Sequence, residues 1–396
     1  MAGYLFTFSD HKSLEKCIEL GFYSPLMSPK WSIATTATLA DFVTMQTGDN
    51  VYFFSERMVY GIGEVIGVTS KTIVAENYPD STMPNQMPDE KQQNTVLGAL
   101  NRFEKNDERI QRWAIAFKAS PSIFRNGVDM DDLLASDPQA FRSLRVFWKR
   151  SFIKLDDEEN LAFKAALIRK NNNTKNRKEI FPCDVHESKL RLKEASIPTR
   201  KPDIKALIAS QRKKNGTLSS EMMLELALLD QLANRDKSTE KVFGRWDYLN
   251  HQVVASPMKA VDYMDRLDVF GYSWVNGYTG EVIDKYLVCE LKKDALSAED
   301  AAQTMKYVDW VCAEYANGDY SMIDSFLVGS KVNESDFEEI SDVIVRHFIT
   351  GRRPLVNHSW RQLSLVSYSV QEDGAVRFRP ECNFAMDDNS DLSPQN

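Results

Sequence analysis

The chain has no long apolar run. No segment approaches the ~18 consecutive apolar residues of a membrane-crossing helix. Its first residues, MAGYLFTFSDHK, lack the basic start and apolar core of a signal peptide. Cysteine is scarce: five residues, at 17, 183, 289, 312 and 382, an odd number with no C-x-x-C pair. That speaks against a disulfide framework and a cysteine-held structural zinc. Together these absences predict a cytoplasmic protein in a reducing setting with no membrane partner. The five histidines are scattered too, which argues against a histidine-based metal site. There is no internal repeat.

Net positive charge is also lacking. The formal charge of -8 argues weakly against nonspecific nucleic-acid binding by the whole chain. The average hides an asymmetry. Residues 142–214 hold 20 Lys and Arg against 9 Asp and Glu, a local +11, which leaves -19 for the rest. A basic middle suits a phosphate-binding track. It suits a solvated linker equally well.

The length of 396 residues fits two or three domains. Residues 1–170 mix strands with short helices. GDNVYFFSERMVYGIGEVIG reads as a hairpin, with strands at 51–55 and 59–66 joined through Ser55-Glu56-Arg57. Further strands are expected at 113–119 and 146–155. A helix is expected at 156–170, acidic in its first turn and basic in its last. Residues 171–216 are polar and basic and read as a linker. Residues 386–396, DDNSDLSPQN with the methionine before it, read as a disordered acidic tail.

Residues 217–385 form the second expected domain. Ser219 or Ser220 can cap a helix through Ala233. Strands follow at 264–272 and 282–291, then a helix at 298–315 and a strand at 323–328. A helix at 334–348 and strands at 363–370 and 376–379 complete the domain. This order predicts an α/β (α+β) sandwich around one central mixed sheet.

The chemistry concentrates in KYLVCELKKD. Strand side chains alternate faces, so Glu290 and Lys292 share one face while Leu291 points away. Two charges on one face of a buried strand need partners. A carboxylate is a hard oxygen ligand for Mg²⁺, which takes one or two further carboxylates. The neighbouring strand, MDRLDVFGY, offers Asp265 and Asp268. Asp268 is favoured because it interrupts the apolar run 267–270, whereas Asp265 lies at the strand edge. Asn276-Gly277 is a plausible tight turn between the strands. Gln303 and Tyr307 sit four apart and share a helix face. Each alone reads as an ordinary core or surface residue.

Taken together, Asp268, Glu290-Leu291-Lys292 and Gln303-x-x-x-Tyr307 resemble the PD-(D/E)XK nuclease superfamily, the restriction-endonuclease-like fold. The pattern is most similar to its mismatch-nuclease and Shedu-type antiviral branches, and covers residues 217–330. The resemblance implies that Asp268, Glu290 and the backbone carbonyl of Leu291 bind one Mg²⁺ or Mn²⁺. Lys292 then positions the attacking water, and Gln303 holds that water or a phosphate. The family often adds a glutamate from the first helix. Glu225 is favoured over Glu221, though both also read as a solvated acidic face. The implied activity is metal-dependent hydrolysis of DNA, phage or modified DNA among the candidates, in antiviral defence by a dimer or tetramer.

The N-terminal hairpin, with SPKWSIATTATLADFVTMQ and RVFWKRSFIKLDDEEN, resembles the PUA-like superfamily of EVE and YTH type. That implies a small β-barrel that senses nucleic acid or a modified base. Trp31 follows a polar loop and Trp148 lies beside Lys149 and Arg150, so these four are the candidate base and phosphate contacts. Tyr60 is a lesser candidate. Ordinary core packing is the competing reading for each aromatic. Two rival functions remain: a nucleic-acid reader on an inactive nuclease scaffold, and a protein-interaction module.

Overall fold

A computed structural model describes residues 1–27, 32–66, 73–75, 110–111, 113–142, 152–171, 204–255 and 265–384. The chain divides into two compact units, Met1–Asp203 and Ile204–Asn396. Both are mixtures of helices and mixed sheets.

In the first unit β1 (Gly3–Phe8) pairs in parallel with β2 (Asn50–Ser55). β2 runs into β3 (Met58–Val65) as the expected hairpin. Glu56 and Arg57 both have positive φ, 50° and 68°, so the two-residue turn has the hand that matches strand twist. β3 pairs with the long β4 (Trp113–Asp129), which extends well beyond the expected 113–119. β5 (Phe152–Leu155) closes the other side of β1, and α1 (Asp157–Asn171) follows it. Leu5, Tyr52, Ile62, Phe141, Phe163 and Leu167 meet in one buried cluster. Tyr52 donates to Asn160 Oδ1 at 2.6 Å, tying sheet to helix.

The second unit starts inside the expected linker. α2 (Ile204–Gln211) buries Ile204, Leu207 and Ile208. α3 (Glu221–Ala233) is capped by Ser220, whose hydroxyl accepts the Met223 N–H. A short α4 (Lys237–Phe243) leads into β6 (Tyr248–Val254), a strand the sequence pattern did not reveal. Then come β7 (Arg266–Trp274), β8 (Ile283–Leu291), α5 (Ala298–Glu314) and β9 (Ile323–Gly329). The β7–β8 connection turns at Asn276-Gly277 as expected. The Tyr278 N–H reaches the Val275 carbonyl and Gly277 takes φ 88°.

The expected helix over 334–348 is shorter. A 3₁₀ turn, Glu334–Asp336, leads into α6 (Phe337–Ile344), and β10 (Arg346–Thr350) follows, hairpinned to β11 (Val356–Trp360). Arg346 explains the stop. Its guanidinium grips Asp309 through two hydrogen bonds, 2.6 and 3.0 Å, and donates to the carbonyls of Val343 and Val345 at the helix end. β12 (Leu363–Val370) and β13 (Val376–Asn383) complete a six-stranded sheet in the order β6-β7-β8-β9-β12-β13. β8, β9 and β12 are parallel neighbours and the rest are antiparallel. The parallel step from β8 to β9 requires a crossover, which α5 supplies. The C-terminal end of β8 therefore meets the start of α5.

Candidate acidic site

The register of the sheet builds the site. Val269 pairs with Cys289, and one residue further the same register sets Asp268 opposite Glu290. On the other side His251 pairs with Val269 and Val253 with Leu267, which sets Gln252 opposite Asp268. Gln252, Asp268 and Glu290 thus form a row across three adjacent strands. Directly opposed residues lie roughly 5 Å apart at Cβ and share a face.

Glu290 is buried, and one oxygen, Oε1, accepts a hydrogen bond from Lys292 Nζ at 2.8 Å. Its other oxygen, Oε2, is buried with no hydrogen-bond partner among the described residues. Asp268 Oδ2 accepts the Leu291 N–H at 2.8 Å, and Oδ1 accepts from Gln252 Nε2 at 3.0 Å. Lys292 Nζ reaches on to Gln303 Oε1 at 3.2 Å, and Gln303 Nε2 donates to Tyr307 Oη at 2.9 Å. Strand alternation and helical spacing therefore meet in one chain of contacts, Glu290–Lys292–Gln303–Tyr307. Ser297 orients α5 through a capping box with Asp300, placing Gln303 and Tyr307 towards the end of β8.

Glu225 comes to the same place from α3. It is buried, its Oε1 lies 2.5 Å from His251 Nδ1, and its Oε2 accepts from Gln252 Nε2 at 2.7 Å. Glu221, one turn earlier, is exposed and its Oε1 accepts the Lys293 N–H. Asp265 lies just before β7, and its carbonyl accepts the Ala255 N–H. Asp268, not Asp265, stands level with Glu290. Sequence reasoning missed His251 and Gln252. Their polar pair within YLNHQVV was the available signal, in a segment not read as a strand.

Crowding of Asp268 and Glu290 away from water shifts their proton affinities. Burial, then the charges of Glu290 and Glu225, push Asp268 well above the usual carboxylate range, against the Leu291 N–H and Lys292. Burial raises Glu290 to about 7, although Lys292 opposes it. Burial disfavours the Lys292 charge, but Glu290 beside it, with Asp268 and Asp300, lifts its pKa above the ordinary lysine value. Lys292 is therefore a fixed cation and donor. Burial also raises Tyr307 to about 12, so it stays protonated.

The donor chemistry fits a hard divalent cation. Asp268 and Glu290 offer carboxyl oxygens on adjacent strands, and Glu290 Oε2 is buried with no hydrogen-bond partner among the described residues. Among the described residues, no three His, Cys, Asp or Glu side chains stand in a ready-made metal-holding group. Gln252 spans Glu225 and Asp268, and Lys292 holds Glu290.

No family model matches the chain. No curated protein matches it. Among solved structures, a hypothetical protein from Leishmania major is similar at 13% identity and a TM-score of 0.28, covering 44% of this chain and 98% of that one. A protein from Pseudomonas putida is similar at 14% identity and a TM-score of 0.24, covering 41% and 98%. Likenesses at these scores say nothing about function.

In the first unit, Trp31, Trp148, Lys149 and Arg150 lie outside the described residues. Tyr60 is half-buried and sits edge-on to His11, with ring centroids 5.0 Å apart. Phe6, Tyr23, Phe53 and Phe117 pack against one another as core, led by the Phe6–Tyr23 stack at 4.2 Å.

Among the described residues, no helix is long and apolar enough to cross a membrane.

Proposed function

We propose that the chain is a metal-dependent endonuclease of the PD-(D/E)XK type, acting on DNA through its C-terminal unit. One observation carries this reading. Asp268 and Glu290 lie on adjacent strands one residue beyond the paired Val269 and Cys289, and Asp268 accepts the Leu291 N–H, while Lys292 bridges Glu290 to the Gln303–Tyr307 pair. The order of elements agrees: an acid-bearing helix, an Asp strand, the Glu-Leu-Lys strand and the Gln/Tyr helix. The sandwich expected of that fold belongs to the same proposal.

Asp268 and Glu290 would hold Mg²⁺ or Mn²⁺, with the Leu291 carbonyl and Glu225 beside them. When bound, such a cation lowers the pKa of a water and offsets charge on the phosphoryl oxygens. Lys292, kept protonated by its acid neighbours, places a positive donor next to that water or the scissile phosphate. Gln303 fixes the direction of Lys292 and offers its own amide to a phosphate oxygen. Tyr307 anchors Gln303 from the core side. Asp268 and Glu290 at the strand ends are rigidly placed, so the attacking water needs little reorganisation.

The N-terminal unit, read as PUA-like, would sense the nucleic acid or a modified base. A defence role and assembly into a dimer or tetramer complete the proposal.

Cleavage of linear, supercoiled and single-stranded DNA with Mg²⁺, Mn²⁺ or EDTA tests it, comparing wild type with Lys292→Ala. Metal-dependent cutting that drops at least ~100-fold in the variant is expected, the scale of losing one charge-stabilising donor. Cutting that survives in Lys292→Ala would reject the site assignment.

A further inference from the structure

Gln252 breaks a local rule. It lies in the middle of β6, yet its φ is 50°, in the left-handed region that side chains with a Cβ avoid. Pairing with β7 holds at His251–Val269 and Val253–Leu267 but skips Gln252 and Asp268 between them. Consecutive strand side chains normally point to opposite faces. Here His251 and Gln252 both reach Glu225, one at each carboxylate oxygen. The same Gln252 nitrogen also donates to Asp268. Both partners are acceptors, so the amide nitrogen, with its two N–H groups, must face them. One side chain thus spans a buried carboxylate, Glu225, and a half-buried one, Asp268, the task a divalent cation performs with more charge.

We propose that Gln252 is a displaceable occupant of the cation site: its amide ties Glu225 to Asp268 in the resting chain and leaves Asp268 when a divalent cation arrives. This rests on the cation-site reading above and adds to it a built-in competitor. The geometry gives the competitor a path. A backbone held off its preferred φ persists only where its surroundings over-determine it. The hydrogen bonds to Glu225 and Asp268 are what hold Gln252 there. Release of Asp268 lets residue 252 relax towards extended conformation and complete the skipped β6–β7 pairing. Cation binding and repair of the strand are therefore coupled.

The test is calorimetric titration of the full chain with Mn²⁺, for wild type, Gln252→Gly, Gln252→Met and Asp268→Asn. Gly accepts the left-handed backbone and removes the amide, while Met keeps the bulk and removes only the donor. Thermal melts establish that each variant is folded. Both Gln252 variants should bind Mn²⁺ roughly tenfold more tightly or better, the scale of a hydrogen bond to a charged group that no longer has to be broken. Mg²⁺ should also slow amide exchange at residues 248–254 in wild type.

Weaker Mn²⁺ binding in both variants would make Gln252 a ligand and overturn the proposal. Unchanged affinity would overturn it as well, and if Asp268→Asn still abolished binding, the cation site itself would stand. No Mn²⁺ binding by any of the four proteins would overturn both readings together.

Discussion

Replacing Glu290 by Gln should make the metal-free protein more stable while disabling it. Glu290 is buried, its pKa is raised to about 7 from an ordinary 4.5, and Oε2 has no hydrogen-bond partner among the described residues. The sign follows from the direction of the shift. The folded chain holds the Glu290 proton more tightly than the unfolded chain does. Below about pH 4.5 the group is protonated in both states and contributes nothing. As pH rises through the folded pKa, the charge is forced into the site and stability falls. A shift of this size corresponds to ~3 kcal/mol at pH 8. Gln keeps the shape and removes the charge. The raised pKa already includes the opposing pull of Lys292, so loss of that ion pair adds no separate cost. The gain at pH 8 is therefore ~3 kcal/mol, or roughly 6–12 °C in the melting of a unit this size. Calorimetric melts of wild type and Glu290→Gln in EDTA, from pH 5 to pH 8, provide the assay. The difference in Tm should be small at pH 5 and grow with pH up to the folded pKa of about 7. A lower Tm for the variant at pH 8, or a difference that ignores pH, would refute the reasoning.

Three further outcomes are expected. In the first unit, burial lowers buried Lys154 to about 8 despite nearby Asp49, so the folded state sheds this proton early. The unfolded chain binds more protons between pH 8 and 10.5, and stability should rise with pH there. Lys154→Met should flatten that rise, read as the difference in Tm between pH 7 and 9.5. A Cβ on Gly271 would stand 2.7 Å from the Tyr248 carbonyl oxygen, so Gly271→Ala should wedge β6 from β7 and cost ~1–3 kcal/mol by urea unfolding. Arg346→Met removes both bonds to Asp309 and the donors to the end of α6. It should cost ~2 kcal/mol and raise amide exchange over 337–350, with the acidic site unaffected.

Local pattern was enough for much of this molecule. The hairpin over 50–65 was legible because two β-rich runs flank a polar turn. Ser220 as a cap and Asn276-Gly277 as a turn follow from short-range chemistry. The periods of two and 3.6 placed Glu290 beside Lys292, and Gln303 beside Tyr307, before any fold was known. The choice between Asp265 and Asp268 belonged to register, which long-range packing sets. β6 was hidden because its polar residues, Asn250, His251 and Gln252, break the apolar pattern of a strand. The end of α6 was hidden because Asp309, far away in sequence, draws Arg346 out of the helix. Glu225 shows the same division. The sequence offered it as one of two acids on a helix. Only the tertiary structure brought it to Asp268, through a glutamine in a left-handed conformation that no local preference would select, held by two carboxylates from other elements.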